Sequence, residues 1–247
     1  MKLEIYSDKT ETSREAANKA AFLLDRVIEE KGKATVVMAT GMSQLDFIRF
    51  LIEEHSVDWS KVELFHLDEY VGLTDDHPAS LRHFLKKHFL NRVSPGEVHF
   101  VKGESDDPEA ECDRLNELIE SKTIDVSLVG IGENGHLAFN DPPADFETEK
   151  PFIVVELDQK CREQQVGEGW FETVEEVPER AISMSINQIM ESKGIVCTVP
   201  AKRKAKAVKN CFEGEITPEC PASILRKHEN TYVYLDEESS SLLDRNE

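Results

Sequence analysis

Ile124-Asp125-Val126-Ser127-Leu128-Val129-Gly130-Ile131-Gly132-Glu133-Asn134-Gly135-His136 is the stretch on which the fold turns. A short apolar run reads as a strand and stops at glycine. More glycines and a histidine follow, with no helical pattern behind them. The same alternation extends both ways along the chain. Lys2 to Tyr6, Thr35 to Met38, Val62 to Leu67, Val98 to Val101, Ile153 to Leu157, Gly194 to Val199 and Thr231 to Leu235 are further short apolar runs that read as strands. Between them, Thr12 to Glu30 carries Ala16, Ala20, Leu23, Leu24, Val27 and Ile28 at helical spacing. Ser43 to Glu54, Ser80 to Phe89, Pro108 to Glu120 and Ala201 to Phe212 are expected helices, as is Pro178 to Glu191 with Ile182, Ile186 and Ile189 inward. Strand-length apolar runs alternating with helices predict an α/β chain with a mostly parallel sheet covered on both faces. No linker or repeat divides it, so residues 1–247 are expected to form a single domain, with the polar, proline-bearing segment 141–150 as a mobile loop.

Composition narrows the partners. The net charge is −20, from 49 acidic and 29 basic residues. Such a surface disfavours nucleic acid and anionic lipid, whose binding depends on basic faces. The five cysteines form no CxxC pair, so neither a disulfide framework nor a zinc knuckle is expected, and Cys197 reads as a core thiol. The first residues turn polar too early for a signal peptide, and no apolar run is long enough to cross a bilayer. The expected setting is cytoplasmic, and assembly into a homo-oligomer is left open.

In open parallel sheets, ligands bind beyond the carboxyl ends of the strands, and four strand ends carry chemistry-bearing residues. Thr40, Gly41 and Ser43 follow the second strand and open a helix, as a phosphate cradle would, although Ser43 also fits a plain N-cap. Asp68 and Glu69 follow the third strand, where a buried carboxylate could act as general base. Gly130, Gly132 and Gly135 surround the approach to His136, with Asn134 before it and Asp141 after it. This is no dinucleotide fingerprint, because no helix and no distal acid complete it, and a loop histidine of this kind suits proton transfer near neutral pH. Lys202, Arg203, Lys204 and Lys206 cluster at the start of a helix, where one of them reaching the pocket would suffice to meet an anion.

Taken together, Leu67-Asp68-Glu69-Tyr70-Val71-Gly72-Leu73, the run Gly130 to Asn140, and Lys204 nine residues before Glu213-Gly214 resemble the motifs of the glucosamine-6-phosphate deaminase/isomerase family, in order, from about Thr35 to Leu235. The resemblance implies a Rossmann-like open, mostly parallel sheet with helices on both faces. It also implies conversion of glucosamine 6-phosphate and water to fructose 6-phosphate and ammonia, on a phosphorylated amino sugar, with neither cofactor nor metal. By position, Asp68 resembles the base that moves a proton between C2 and C1. His136, with Asn134 and Asp141, resembles the ring-opening group, while Thr40, Gly41, Ser43, Gly135 and Lys204 resemble the substrate-binding set.

The chain departs from the family pattern in places. Met42 and Gln44 stand where glycine, threonine or proline is usual, Asp141 where glutamate is usual, and no arginine matches a phosphate ligand around Arg162 to Trp170. Lys150 alone answers the basic residues of an allosteric site found in some members. A 6-phosphogluconolactonase of the same fold is the nearest rival reading, disfavoured by Tyr70 and Leu137. A catalytically silent sugar-phosphate-binding protein is the third, disfavoured by Asp68.

Overall fold

The computed structural model describes residues 1–244, so the last three residues of the expected domain lie outside the described ones. Seven parallel strands form the central sheet: β1 (Lys2–Tyr6), β2 (Ala34–Met38), β3 (Val62–His66), β5 (Glu97–His99), β6 (Val126–Val129), β9 (Gly194–Val199) and β10 (Thr231–Asp236). Their order is β1-β10-β9-β6-β2-β3-β5. From β2 the chain proceeds outward to β3 and β5, then crosses back to β6 and proceeds the other way to β9 and β10. The order therefore reverses between β2 and β6, which pair in parallel at Val36↔Val126 and open a crevice between their carboxyl ends.

Both faces of the sheet are covered because its strands are apolar throughout: every residue of β2, β3, β6 and β9 is buried. Val36, Met38, Leu64, Leu128 and Val196 point to one side, under α1 (Lys9–Lys31) and α2 (Leu45–Glu53). Val37, Phe65, Val129, Cys197 and Val233 point to the other, under α4 (Pro108–Ile119) and α7 (Ala205–Glu213). Helix α1 starts at Asp8, whose carboxylate accepts from the Thr10 and Glu11 amides at 2.7 and 2.9 Å. It lays an alanine-rich face (Ala16, Ala17, Ala20, Ala21) on the sheet, which lets backbone approach backbone closely. Each fully buried large side chain here, such as Leu24 or Phe47, contributes about 1.5–3 kcal/mol. No helix among the described residues is long and apolar enough to cross a membrane.

Two elements differ from the sequence expectation. The expected helix Pro178 to Glu191 is a strand, β8 (Arg180–Met184), followed by the short helix α6 (Ile186–Met190). Strand β8 is central in a second, antiparallel sheet between β4 (Asp68–Tyr70) and β7 (Phe152–Glu156). Ile182, Ile186 and Ile189 are all buried, but the helical spacing is a coincidence across a strand and a helix joined at Ser185, whose hydroxyl accepts from the Gln188 amide and caps α6. Two ladders of hydrogen bonds override the local pattern in β8. The second difference is α5 (Gln159–Gly167), a polar helix for which no apolar stripe gave notice. The third strand runs on with only Leu67 between β3 and β4, so Asp68 sits where one sheet hands over to the other.

Candidate functional site

A cleft opens at the carboxyl ends of β2, β3, β6 and β9. Lining it are Thr40, Gly41 and Ser43 after β2, Asp68 after β3, Gly130, Gly132 and His136 after β6, and Lys204 after β9. Six of the nine candidate residues thus meet at one cavity. Asp68 and His136 share it with Tyr70, Phe139 and Gln44, and α5 with the turn after it adds a wall of Gln164, Gln165, Glu168 and Trp170. Asn134, Gly135 and Asp141 stand behind this surface rather than on it.

The acidic pair divides its work. Glu69 is fully buried, and its carboxylate accepts from Ser80 Oγ (2.7 Å), the Tyr70 and Leu81 amides (3.0 and 3.1 Å) and the Arg82 amide (2.9 Å). It therefore ties β4 to α3 (Leu81–Leu85). Burial pushes the Glu69 carboxyl up, and these bonds oppose the rise. The Asp68 carboxyl faces the cleft and receives no hydrogen bond among the described residues. Burial, with the charge of Glu69 added, pushes it up to about 8. That is a carboxylate of unusual basicity, held where a substrate would lie.

The glycine-rich loop serves to seat the imidazole. A side chain at Gly132 would meet His136 Nε2 at 2.2 Å, so the ring lies flat against bare backbone. His136 Nδ1 is 3.0 Å from Asp141 Oδ1. Asp141 also receives Asn134 Nδ2 at 2.9 Å and the Asp158 amide at 2.9 Å. Burial raises the Asp141 carboxyl, but the bond to His136 and then the other two outweigh it, and the net shift is downward. An ionised Asp141 fixes the proton on Nδ1 and leaves Nε2 toward the cleft. Asn134 does not bond the ring. Its Oδ1 accepts from the His136 backbone amide (3.0 Å), and its Nδ2 spans Asp141 and Asp158 (3.2 Å). Behind the loop, the Ala222 amide donates to the Gly135 carbonyl at 2.9 Å, and Cys211 and Cys220 lie side by side.

The remaining residues form an anion-shaped end. Gly41 has φ +101°, which only glycine adopts without strain, and it starts a tight turn, Met42–Gln44, leading into α2. Ser43 lies inside that turn and is not the helix cap. Gln44, unforeseen as a structural part, donates to the Thr198 carbonyl at 3.2 Å and so clasps the β2 loop to the end of β9. An equivalent turn, Lys202–Lys204, follows Ala201 at φ +84° and leads into α7. Of the basic cluster, Lys204 alone is buried, and no carboxylate lies within ion-pair distance of it among the described residues. Burial pulls its ammonium down to about 8, with the charge of Glu168 opposing and that of Arg203 assisting. A buried, unmatched cation beside two helix starts calls for an anion.

Among the described residues, two sets of donors come close enough to consider for a metal: His136, Asp141 and Cys161, and Glu63, Glu97 and His99. In the first, the carboxylate is committed to three internal bonds, and burial, with the charge of Asp141, keeps the Cys161 thiol protonated. In the second, at the β3–β5 edge, Glu63 is already paired with Lys122 at 2.5 Å and with His99 at 2.8 Å. Neither set is arranged as an open ligand shell.

An open parallel sheet carrying a buried base, a histidine–carboxylate pair and an unmatched lysine at its switch point defines a class of acid–base enzymes for small anionic substrates. The family model described as glucosamine-6-phosphate isomerases/6-phosphogluconolactonase matches residues 7–234, and the chain belongs to that family. The glucosamine-6-phosphate deaminase of Exiguobacterium sibiricum is 38% identical over 234 residues, spanning 94% of this chain and 91% of that protein. The enzyme of the same description from Streptococcus pneumoniae is 35% identical over 222 residues, spanning 89% and 92%. The solved structure of a monomeric glucosamine-6-phosphate deaminase superposes with a TM-score of 0.90 at 33% identity, over 98% of this chain and all of that one. The 6-phosphogluconolactonase of Trypanosoma brucei superposes with a TM-score of 0.81 at 16% identity, over 98% of each chain, and shares the fold.

Proposed function

We propose that this chain is a deaminating aldose–ketose isomerase that converts glucosamine 6-phosphate and water to fructose 6-phosphate and ammonia. The observation that carries the reading is a single cleft in which a basic carboxylate, an imidazole backed by a carboxylate, and an unpaired lysine line different walls. The curated relatives of that activity, which span most of this chain, support it.

Each residue has a task that its surroundings favour. Lys204, with the Thr40–Ser43 turn, holds the phosphate. His136 Nε2 takes the proton of the O1 hydroxyl and returns it to the ring oxygen, so the pyranose opens with no net change in protons. Asp141 steadies the imidazolium that forms between. Asp68 then removes the proton on C2, while the substrate's ammonium gives up one proton and the carbonyl oxygen gains one, giving an enolamine. Returning the proton to C1 leaves an iminium at C2, which water hydrolyses to the ketone and ammonium. A carboxylate with a raised value is a stronger base toward carbon, and the ammonium of the arriving amino sugar favours its ionised form. The decisive experiment is to incubate purified protein with glucosamine 6-phosphate and no added metal. Ammonia and fructose 6-phosphate should appear in equal amounts. If neither appears while 6-phosphogluconolactone is hydrolysed, the assignment is wrong.

A further inference from the structure

The anion end of the cleft contains a carboxylate that the proposed chemistry leaves idle. Glu168 closes α5 and lines the cleft together with Lys204, with its side chain only 7% exposed. A phosphate dianion on Lys204 and an ionised Glu168 in the same cavity repel each other, so an acid in this wall needs a reason. Its partners supply one. Arg203 Nη2 lies 3.0 Å from Glu168 Oε1, and Arg203 Nη1 lies 3.5 Å from Glu133 at the start of the glycine-rich loop. Glu168 is also held by two neutral donors: Gln164 Nε2 at 2.9 Å and Trp170 Nε1 at 3.4 Å.

We propose that Arg203 is the second cation of the phosphate subsite, occupied by Glu168 until the substrate's phosphate takes it over. The inference rests on the reading of the cleft as a sugar-phosphate site. Three features carry it. Arg203 adjoins Lys204 in the chain, on the turn that faces the anion end, and its guanidinium already touches a carboxylate of the cleft wall. A planar guanidinium bonds two phosphate oxygens at once, and a dianion attracts it more than a carboxylate does. Glu168 keeps Gln164 and Trp170 when Arg203 leaves, so the exchange does not strand a buried charge.

Two variants test this, with inorganic phosphate as the binding probe and glucosamine 6-phosphate as the substrate. Arg203→Met should weaken phosphate binding by calorimetry and raise KM by about tenfold, with the change falling on KM rather than kcat. Glu168→Gln keeps the shape and its neutral partners but removes the competing charge. It should tighten phosphate binding and lower KM severalfold, and that gain should vanish in the double variant. Arg203→Met with unchanged phosphate affinity would overturn the proposal. So would a Glu168→Gln variant that binds phosphate more weakly, since Glu168 would then be positioning the wall and not competing. The phosphate measurement needs no turnover, so a parent protein that binds phosphate but releases no ammonia refutes the activity and leaves this test intact.

Discussion

Replacing Asp68 by asparagine separates what the carboxyl does for turnover from what it does to the fold. Folding lifts this group from 3.8 to about 8, chiefly through burial. The native chain therefore keeps the proton over a range in which the unfolded chain has lost it. The stability this gives is complete below about pH 4, declines as the pH rises, and is gone above about pH 8. At roughly 1.4 kcal/mol per unit, the raised value costs the native state up to about 6 kcal/mol above pH 8 and about 1.6 at pH 5. Taking half of that difference, for the water the cleft admits, leaves about 2 kcal/mol. Asparagine has the same shape and no charge, and no hydrogen bond to the Asp68 carboxyl is lost with it. The Tm advantage of Asp68→Asn over the parent should therefore be about 4–8 °C larger near pH 8.5 than near pH 5. Thermal unfolding followed by circular dichroism at both pH values measures it, and turnover at pH 8 should fall about a thousandfold in the same protein. An equal Tm difference at the two pH values would refute the raised value of Asp68, and full turnover would refute its role as base.

Other perturbations follow from single features. Ala201 occupies a φ of +84° that suits glycine, so Ala201→Gly should raise stability by about 1 kcal/mol, or about 2–4 °C in Tm; no rise would mean that the turn is unstrained. His66 is fully buried with both ring nitrogens unpartnered among the described residues, and burial, helped by the charge of Arg82, pulls it down to about 3. Its lowered value means that stability is complete above about pH 6.5 and is lost as the pH falls toward 3, so between pH 7 and 4.5 the parent should lose about 2–3 kcal/mol more than His66→Leu in urea unfolding. Parallel losses in parent and variant would show that His66 is not held neutral. Asn134→Asp puts a third carboxylate against Asp141 and Asp158 in place of a double donor, and should destabilise by about 2–4 kcal/mol at pH 8. A chemical denaturation midpoint unchanged at that pH would contradict the bridging role.

The central sheet was readable because its strands are continuous apolar runs, the signature of burial on both faces. The loops that follow them could be located for the same reason. His136 and Asp141 are five positions apart, so their pairing lay within one motif. What stayed hidden depends on contacts between distant parts. Strand β8 carries isoleucines at a spacing that continues into α6, and only the ladders to β4 and β7 distinguish strand from helix. Helix α5 has almost no apolar face; its one local sign is Asp158, which accepts from the Cys161 amide at 2.6 Å as an N-cap. The cleft wall it carries, with Gln164, Glu168 and Trp170, was therefore unseen. Asp68 and Glu69 are adjacent and chemically alike, and only the four donors that surround Glu69 tell structural acid from cleft acid.

The seat of Lys204 has a kinetic consequence. A lone buried ammonium at the foot of a cleft, in a chain of net charge −20, attracts a dianion only at short range. Beyond about 8–10 Å the acidic surface governs, and it repels. Encounter is then the retarded step, and added salt screens the repulsion before it weakens the buried contact. At low substrate, capture should quicken as ionic strength rises toward about 0.15 M, the reverse of an enzyme that draws its substrate in by opposite charge.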